Sequence, residues 1–369
     1  MEKELLSQNI EFGLAPMEGV SDFAFRYWLS LCSQPDFQST PFLRVTPTYP
    51  NNGIPSTYAP EWELKESLNY YLVPQIMASS RSLFIKHARE ILNHSPFVDL
   101  NCGCPAAKSV GKGAGSSLLI DSAVFIDFVK TITEPFEKDQ ISVKIRTGFD
   151  NDDNYYDCLH GIKDTPIKQL GIHGRTKAQR YDGLANWSMI AEANDIMNCP
   201  IVASGDINSY ESLEERQQFL PSVSKIIIGR GAIRNPWIFS EIKTGCKSEI
   251  NIEALIYCLA SLGIIQYAFK RESETLINLI AEKKIVACAG TDQDLWESTY
   301  KTLCEAIFGK FIYTKDLDFE RYTFARIKMV WNYLRSSLPE ICPKVTDKHM
   351  HHEYDYICTE IWTRMNDIS

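Results

Sequence analysis

Eight short apolar runs, separated by stretches that are mostly long enough for a helix, follow one another through the first 240 residues of the chain. They occupy residues 12–17, 41–45, 72–78, 97–101, 141–146, 169–173, 200–204 and 225–229. Most of the runs are nearly continuously apolar, which is typical of strands buried on both faces of a parallel sheet. Eight strand-and-helix units favour an α/β fold, a TIM (β/α)8 barrel, over the alternative of a doubly wound open sheet.

Beyond residue 240 the pattern changes. Glycines and strand-like runs become sparse, and helical patterns dominate in segments such as 252–269, 294–308 and 323–337. We therefore predict two domains, a barrel over residues 1–240 and a smaller all-helical C-terminal domain over residues 241–369. The total of 369 residues suits one barrel of about 250 residues followed by a smaller domain.

The composition narrows the cellular setting. The 11 cysteines are an odd number scattered along the chain, unlike the dense and even framework of a small secreted protein. No run of eighteen apolar residues indicates a membrane span, and the N-terminus lacks the segments of a secretory signal. We expect a cytoplasmic monomer that has no membrane partner. The net charge of −9 argues weakly against a nucleic-acid partner, but it is compatible with a local basic groove.

Polar and glycine-rich clusters stand at the ends of almost all the predicted strands. In a TIM barrel the active site lies at the C-terminal ends of the strands. A charged group inside an apolar strand is costly unless it is paired or binds a ligand. Because the pattern recurs after so many strands, it predicts one convergent site. Its members include Pro16, Met17, Glu18, Gln75, Asn101, Cys104, Lys144, Arg146, His173, Arg175, Ser204, Gly205, Asp206, Gly229 and Arg230.

The last two of these clusters, residues 204–206 and 229–231, suit a phosphate group. Glycine lets the backbone approach a ligand closely, and free N–H groups bind anions. The loops after strands seven and eight of TIM barrels often hold a phosphate. Arg230 would add positive charge and His173 a further donor. The arrangement predicts a phosphorylated cofactor, although the pattern alone does not name it.

Five motifs resemble those of the tRNA-dihydrouridine synthases, in that family's order and at similar spacing. They are residues 15–20 (APMEGV), 99–105 (DLNCGCP), 143–146 (VKIR), 173–176 (HGRT) and 228–231 (IGRG). The resemblance covers residues 12–239, and a weaker match at 325–328 (ARIK) extends it into the helical region. The motifs are highly specific together, and the sequence is most similar to the C-type subgroup.

The resemblance implies a barrel that binds FMN, a helical tRNA-binding domain behind it, and NADPH as the reductant of the flavin. By similarity, Pro16, Met17 and Glu18 line the flavin, and Gln75 and Lys144 bond its ring. The residues implied to hold the ribityl phosphate are His173, Ser204, Gly205, Asp206, Gly229 and Arg230. Cys104 corresponds to the catalytic cysteine of the family. The residues implied to contact the target uridine or the tRNA are Arg44, Asn101, Arg146, Arg175, Arg326 and Lys328.

The chemistry implied by the resemblance explains these residue types. Reducing the 5,6 double bond of uracil requires a hydride, which the flavin supplies, and a proton. A cysteine thiol, with a reference pKa of about 8.5, is mostly protonated near neutrality and can donate that proton. Lys144 would stabilise negative charge on the reduced ring. A base inside folded tRNA has to be extruded into the pocket.

Several alternatives stay open at this point. The C-type resemblance favours uridine 16 of the D-loop, whereas residues 181–187 (YDGLANW) look more like subgroups that act on uridine 20. The helical region carries extra residues at about 271–318, and Ser204 stands where asparagine is common. The rival functions are an FMN barrel reductase of a small pyrimidine-like molecule and an inactive tRNA-binding protein. Cys102 and Cys104 are poorly spaced for zinc, so we expect no metal site.

Overall fold

One parallel β-sheet organises the chain, whose computed structural model describes residues 10–49, 53–107, 111, 113–249, 251–285, 290–313 and 321–337. The hydrogen-bonded order of the strands in this part of the chain is β3-β5-β6-β7-β8-β9-β10-β1-β2-β4. The strands are β1 (Glu11–Leu14), β2 (Phe37–Ser39), β3 (Leu43–Val45), β4 (Tyr71–Val73), β5 (Gln75–Ala78), β6 (Val98–Cys102), β7 (Ile141–Arg146), β8 (Leu170–His173), β9 (Ile201–Ser204) and β10 (Lys225–Ile228).

The sheet closes into a barrel because two of its strands are each split in half. Only Pro74, which has no backbone N–H to continue a ladder, separates β4 from β5. β2 pairs with β4, and β3 pairs with β5. At the break, the N–H of Thr40 donates to the carbonyl of Val73 at 3.0 Å, and the N–H of Gln75 donates to Thr40 Oγ1 at 3.0 Å. Joining each pair of halves turns the ten described strands into eight. The predicted TIM barrel is therefore confirmed.

The strand predictions differ from the structure mainly at the second and third strands. The predicted run 41–45 contains β3 but misses β2, which is three residues long and has Gln38 at its centre. Gln38 is buried because its Nε2 donates to the carbonyl of Arg26 at 2.8 Å. The predicted run 72–78 is interrupted at Pro74. A short strand with a buried polar residue gives no apolar run for sequence analysis to detect.

Helices cover the outside of the barrel and connect its strands. They are α1 (Phe23–Ser33), α2 (Arg81–Leu92), α3 (Ser122–Thr133), α4 (Tyr155–Ile162), α5 (Trp187–Ile196), α6 (Tyr210–Glu214), α7 (Arg230–Arg234) and α8 (Ile238–Thr244). The side chains of Asp22, Asp121 and Asn186 cap the N-termini of α1, α3 and α5 by accepting backbone N–H bonds. These caps fix where each of the three helices begins after its loop.

Four further helices of the described chain follow the barrel. They are α9 (Ile252–Arg271), α10 (Ser273–Ala281), α11 (Gln293–Phe308) and α12 (Arg321–Leu334). α9, α11 and α12 agree with the three predicted helical segments, and α10 lies between the first two of them. In the described chain, α9 is the one helix long and apolar enough to cross a membrane by length and composition. However, 72% of its most apolar window is buried, as expected for a core helix. The end of the predicted helical domain, residues 338–369, lies outside the described residues.

The helical region packs directly on α1. All eleven residues of α1 are buried, between the barrel strands on one side and α9 on the other. The indole N–H of Trp28 donates to the carbonyl of Cys258 on α9 at 2.9 Å, and the rings of Phe23 and Phe269 lie 5.1 Å apart. One hydrophobic core therefore runs from the barrel into the helical region. The predicted domain boundary after residue 240 falls within α8 and stays a prediction.

Candidate active site

A cavity of about 530 Å³ opens at the C-terminal edge of the barrel strands. All the strands run parallel, so the loops that follow β1 and β6 to β10 meet there. Its size is within the range of small-molecule binding sites. Most of the predicted site residues line it, namely Pro16, Met17, Glu18, Asn101, Cys104, Lys144, Arg146, His173, Ser204, Gly205, Asp206, Gly229 and Arg230.

Four basic residues, Lys144, Arg146, His173 and Arg230, form what we call the basic side of the cavity. Lys144 and Arg146 are two residues apart on β7, so both side chains leave the same face of the strand. The ladder register places Arg146 opposite His173 on β8. Arg146 is also held by its Nε, which donates to the carbonyl of Gly103 at 2.7 Å. Strand register therefore determines the spacing of this side of the cavity.

Burial shifts the protonation equilibria of the basic side. The pKa of Lys144 falls to about 8, mainly because burial disfavours the ammonium and secondly because Arg146 is close. The pKa of His173 lies well below its usual value, again through burial first and neighbouring cations second. His173 Nδ1 is buried and finds no hydrogen-bond partner among the described residues. An unsatisfied buried nitrogen among cations fits the binding of an anion.

Both acidic residues that line the cavity are paired with arginines outside its lining. Glu18 Oε1 lies 3.6 Å from Arg44 Nη2, and Asp206 Oδ1 lies 2.6 Å from Arg175 Nη2. The basic side is thus left with an excess of positive charge. Arg44, a predicted tRNA contact, is partly exposed beside the mouth of the cavity, and its role stays a prediction.

Arg175 is buried and connects two of the loops that follow the barrel strands. Its side chain is 3% exposed, and besides pairing with Asp206 it donates to the carbonyl of Gly183 at 2.7 Å. It therefore fastens the loop after β8 to the loop after β9. Its Nη1 is buried without a hydrogen-bond partner among the described residues, and its contact with tRNA stays a prediction.

Two glycines let the loops after β9 and β10 pack against each other and their neighbours. Gly205 has a φ of 138°, and a Cβ there would lie 2.5 Å from the Cβ of Ala185. A Cβ on Gly231 would lie 2.2 Å from the carbonyl oxygen of Ile207. Side chains are excluded at both positions, so backbone forms this corner of the cavity. Backbone groups beside Arg230 and His173 fit a phosphate.

Next to the basic side, Asn101, Gly103 and Cys104 form what we call the cysteine side of the cavity. Asn101 Oδ1 accepts the N–H of Gly103 at 3.0 Å and the N–H of Cys104 at 2.8 Å. The carbonyl of Cys104 accepts the hydroxyl of Ser116 at 2.9 Å. Cys104 is 8% exposed and lines the cavity. Its backbone is thus fixed from two directions.

A buried chain of hydrogen bonds supports the cysteine side from below. Asn101 Nδ2 donates to Gln75 Oε1 at 2.7 Å, and Gln75 Nε2 donates to Asp99 Oδ2 at 2.6 Å. Asp99 Oδ1 accepts the hydroxyl of Ser142 at 2.6 Å, and burial raises the pKa of Asp99. Gln75, predicted to bond a flavin ring, is therefore engaged within the protein and lies beneath the cavity lining. Asp99 was present in the motif 99–105 but was given no role from the sequence.

Cys102 lies apart from the cavity. It is fully buried in the hydrophobic core, and burial raises its pKa well above the usual value. Its partner in the β6–β7 ladder is Ile145, whereas Asn101 lies opposite Lys144. Across the described ranges, no three His, Cys, Asp or Glu side chains are placed to hold a metal ion.

The two predicted tRNA contacts of the helical region both lie on α12. Arg326 donates to the carbonyls of Gly19 and Val20 at 3.0 and 2.8 Å, and it pairs with Asp22. The guanidinium of Arg326 is thus bonded within the protein and its side chain is 10% exposed, and its contact with tRNA stays a prediction. Lys328 is half-buried, and its contact with tRNA stays a prediction.

Four polar side chains that line the cavity are not among the predicted site residues: Arg180, Tyr181, Asn208 and Tyr333. The guanidinium carbon of Arg230 lies 3.8 Å from the centre of the Tyr181 ring, a cation–π contact. Arg180 has a φ of 50°, a conformation that non-glycine residues rarely adopt. These residues lie in loops or on a distant helix, so no strand-end pattern marks them. The motif 181–187 was the one available signal.

The comparisons with known proteins agree with the geometry. The family model described as dihydrouridine synthase (Dus) matches residues 13–286. A probable tRNA-dihydrouridine synthase of Helicobacter pylori is 31% identical over 238 residues, or 60% of this chain and 72% of that protein. The tRNA-dihydrouridine(16) synthase of Yersinia pestis is 29% identical over 249 residues, or 62% and 75%. That of Escherichia coli O157:H7 is 30% identical over 249 residues, or 62% and 74%. Because the family model covers most of its length, the chain belongs to the dihydrouridine synthase family.

Proposed function

We propose that the protein reduces uridine 16 in the D-loop of tRNA to 5,6-dihydrouridine, with FMN as its cofactor and NADPH as the reductant. One observation carries the proposal. The mouth of the barrel brings Cys104 and the basic side into a single cavity of about 530 Å³. Related proteins named tRNA-dihydrouridine(16) synthases support tRNA as the substrate and position 16 as the target.

The basic side fits the anionic parts of FMN. His173, Arg230 and the backbone of residues 204–206 and 229–231 would hold the phosphate, because backbone and buried donors meet there without a free carboxylate. Lys144, closer to Cys104, would face the ring and stabilise negative charge on it. When bound, FMN supplies the hydride that no amino-acid side chain can provide. NADPH would visit the same open cavity, which removes the need for a separate dinucleotide motif.

The cysteine side provides the proton. Cys104 would donate it from Sγ to carbon 5 of the uracil. Asn101 fixes the backbone of Cys104 through two N–H bonds, and Ser116 fixes its carbonyl. A donor fixed in this way needs little reorganisation to reach the base. Arg146, the residue of the basic side that bonds to Gly103 of the cysteine side, would contact the uridine.

The loop that carries Tyr181 would meet the RNA. Tyr181 is 54% exposed and Leu184 is 79% exposed, yet Tyr181 also lines the cavity. Exposed apolar side chains beside a basic pocket suit an extruded base and its unstacked neighbours. The sequence of this loop is the feature that favours uridine 20, so the test has to distinguish the two positions.

The test is to incubate the purified protein with NADPH and an unmodified tRNA transcript, and to map dihydrouridine by mass spectrometry of nuclease fragments. We expect one dihydrouridine at position 16 and a visible flavin spectrum. Transcripts with U16C or U20C substitutions serve as matched substrates. Product that disappears only with U20C would replace position 16 by position 20. Flavin-dependent NADPH oxidation without any dihydrouridine would instead favour a reductase of a small pyrimidine-like molecule.

A further inference from the structure

One face of α12 covers the mouth of the barrel. Arg326 and Tyr333 are seven residues apart, which is about two helical turns, so they lie on the same face. Val330 and Leu334, on adjoining positions, are fully buried. Arg326 reaches the loop between β1 and α1, and Tyr333 lines the cavity. The helix therefore contributes to the site at two points along its length.

Arg326 holds the loop after β1 through three acceptors. Its guanidinium donates to the carbonyls of Gly19 and Val20 and pairs with Asp22. These acceptors are three residues apart at most, so one side chain spans the whole end of the loop. A planar guanidinium can satisfy several oxygens at fixed angles, which an ammonium cannot do. Charge-assisted bonds of this kind are stronger than ordinary ones.

The loop held by Arg326 is a wall of the cavity. Met17, Glu18 and Val20 line the cavity, and Gly19 turns the chain with a φ of 75°. Inside the turn, the carbonyl of Met17 accepts the N–H groups of Val20 and Ser21 at 3.1 and 3.0 Å. The Met17 N–H donates to Ser21 Oγ at 2.9 Å. The turn is thus a small self-bonded unit, and Arg326 attaches it to the helical region.

We propose that Arg326 is a positioning residue, through which α12 keeps the Met17–Val20 wall in the shape that binds the cofactor. The attachment itself follows from the contacts, and only the identity of the cofactor rests on the proposed function. The helical region then acts on the flavin end of the site as well as on the tRNA. Without Arg326, two backbone carbonyls and Asp22 lose their partner, and the turn opens more often.

Hydrogen exchange in the full-length, flavin-free protein tests the attachment. In Arg326→Ala we expect the amides of Met17, Val20 and Ser21 to exchange at least about tenfold faster than in the unsubstituted protein. Arg335→Ala is the matched control. Arg335 directly follows the last residue of α12 and, among the described residues, makes no bond to the turn, so we expect the exchange of the turn amides to stay unchanged. Arg326→Lys keeps the charge near Asp22 but not the fork, and we expect an intermediate rate. Unchanged exchange in Arg326→Ala would overturn the proposal.

FMN titration of the same variants tests the consequence for the site. We expect affinity to fall about tenfold in Arg326→Ala and less in Arg326→Lys, while turnover at saturating FMN stays within about threefold because Cys104 is untouched. A global loss of structure would instead accelerate exchange throughout the barrel, for example in β7, and lower turnover at any FMN concentration. If Arg326→Lys also shows faster exchange throughout the barrel and lower turnover, Arg326 has only a structural role, and the proposal is rejected. If neither the unsubstituted protein nor any variant binds FMN, the proposed cofactor is wrong. The hydrogen-exchange experiment still tests the attachment of the turn, because it uses the flavin-free protein.

Discussion

The two sides of the cavity are built in different ways. On the basic side, Lys144, Arg146 and His173 sit on neighbouring strands, and their spacing follows from the ladder register. On the cysteine side, Cys104 lies two residues beyond the end of β6, and side-chain bonds from Asn101 and Ser116 hold its backbone. The basic side combines fixed charge with burial, which suits tight binding of an anion. The cysteine side combines a reactive atom with a supported loop, which suits chemistry.

This difference predicts that substitutions on the cysteine side reduce turnover, while substitutions on the basic side reduce cofactor affinity. The largest effect should come from Cys104→Ala. Removing a positioned acid typically costs about 10²- to 10⁴-fold in rate. FMN should still bind, because Cys104 is not among the residues proposed to hold its phosphate. Single-turnover formation of dihydrouridine measures the rate, and the flavin spectrum measures occupancy.

The control for Cys104→Ala is Cys102→Ala, a second cysteine from the same motif that faces the core. It should change turnover by less than about threefold and lower the free energy of unfolding by about 1 kcal/mol, because it leaves a small buried cavity. The comparison between the two sides fails if Cys104→Ala loses FMN, or if Cys102→Ala is the more damaging of the pair for turnover.

On the basic side, Arg230→Ala should weaken FMN binding by about 10- to 100-fold, the usual cost of one charge-assisted bond to an anion. With FMN in excess, the rate of the chemical step should recover, since Arg230 lies by the glycine-rich corner and not by Cys104. Fluorescence quenching of FMN gives the affinity. Riboflavin, which lacks the phosphate, is the matched control ligand. Its affinity should be nearly the same for Arg230→Ala and for the unsubstituted protein. An equal loss for riboflavin would show that Arg230 does not act on the phosphate.

The lowered pKa of Lys144 predicts a pH dependence of cofactor binding. Lys144 releases this proton at about pH 8 in the free protein, whereas a hydrogen bond from its ammonium to the flavin ring would favour the charged form. The pKa is therefore higher in the complex than in the free protein. Affinity for FMN should be constant below about pH 8 and fall above it, by at most tenfold per pH unit. Titrations from pH 7 to 9.5 measure this fall, and Lys144→Met should bind more weakly with a flatter profile. An identical slope in Lys144→Met would assign the fall to another group.

The smallest effect should come from Ser116→Ala. This substitution removes the hydroxyl that donates to the carbonyl of Cys104, while the backbone N–H of Ser116 keeps its own bond to that carbonyl at 3.2 Å. We expect turnover to fall about two- to fivefold with FMN affinity unchanged, and the free energy of unfolding to fall by about 1 kcal/mol. Steady-state kinetics and denaturant unfolding provide the two values. A change in FMN affinity alone would contradict the division between the two sides.

The sequence predicted the basic side better than the loops around it. Lys144 and His173 stand out because charged or titratable groups at the ends of apolar strands are rare, and parallel strands bring their ends together. The hydrogen bonds of Arg175 and Arg326 could not be predicted in this way, since each depends on where a distant loop or helix lies. In the sequence, an arginine that faces RNA looks the same as one that binds a carbonyl. Only tertiary structure distinguishes these two uses.

The cavity residues supplied by α12 and by the Tyr181 loop show the same limit. Tyr333 joins the site only because α12 packs across the mouth of the barrel. The number of barrel strands could be predicted from the sequence, but β2 could not. Gln38 interrupts the apolar run of β2, and it is buried because it donates to the carbonyl of Arg26. Patterns within one segment therefore predict its secondary structure, whereas contacts between distant segments could not be predicted from the sequence.

The complete burial of α1 has a practical consequence for anyone who recombines proteins of this family. Because Trp28 bonds to Cys258 and the Phe23 ring meets Phe269, the inner surface of the helical region is matched to this one helix. A chimera that takes the helical region from a relative would therefore need to take α1 with it, although α1 belongs to the barrel in sequence. A swap cut at residue 240 alone would leave the apolar side chains of α1 without their matched partners and would be expected to aggregate.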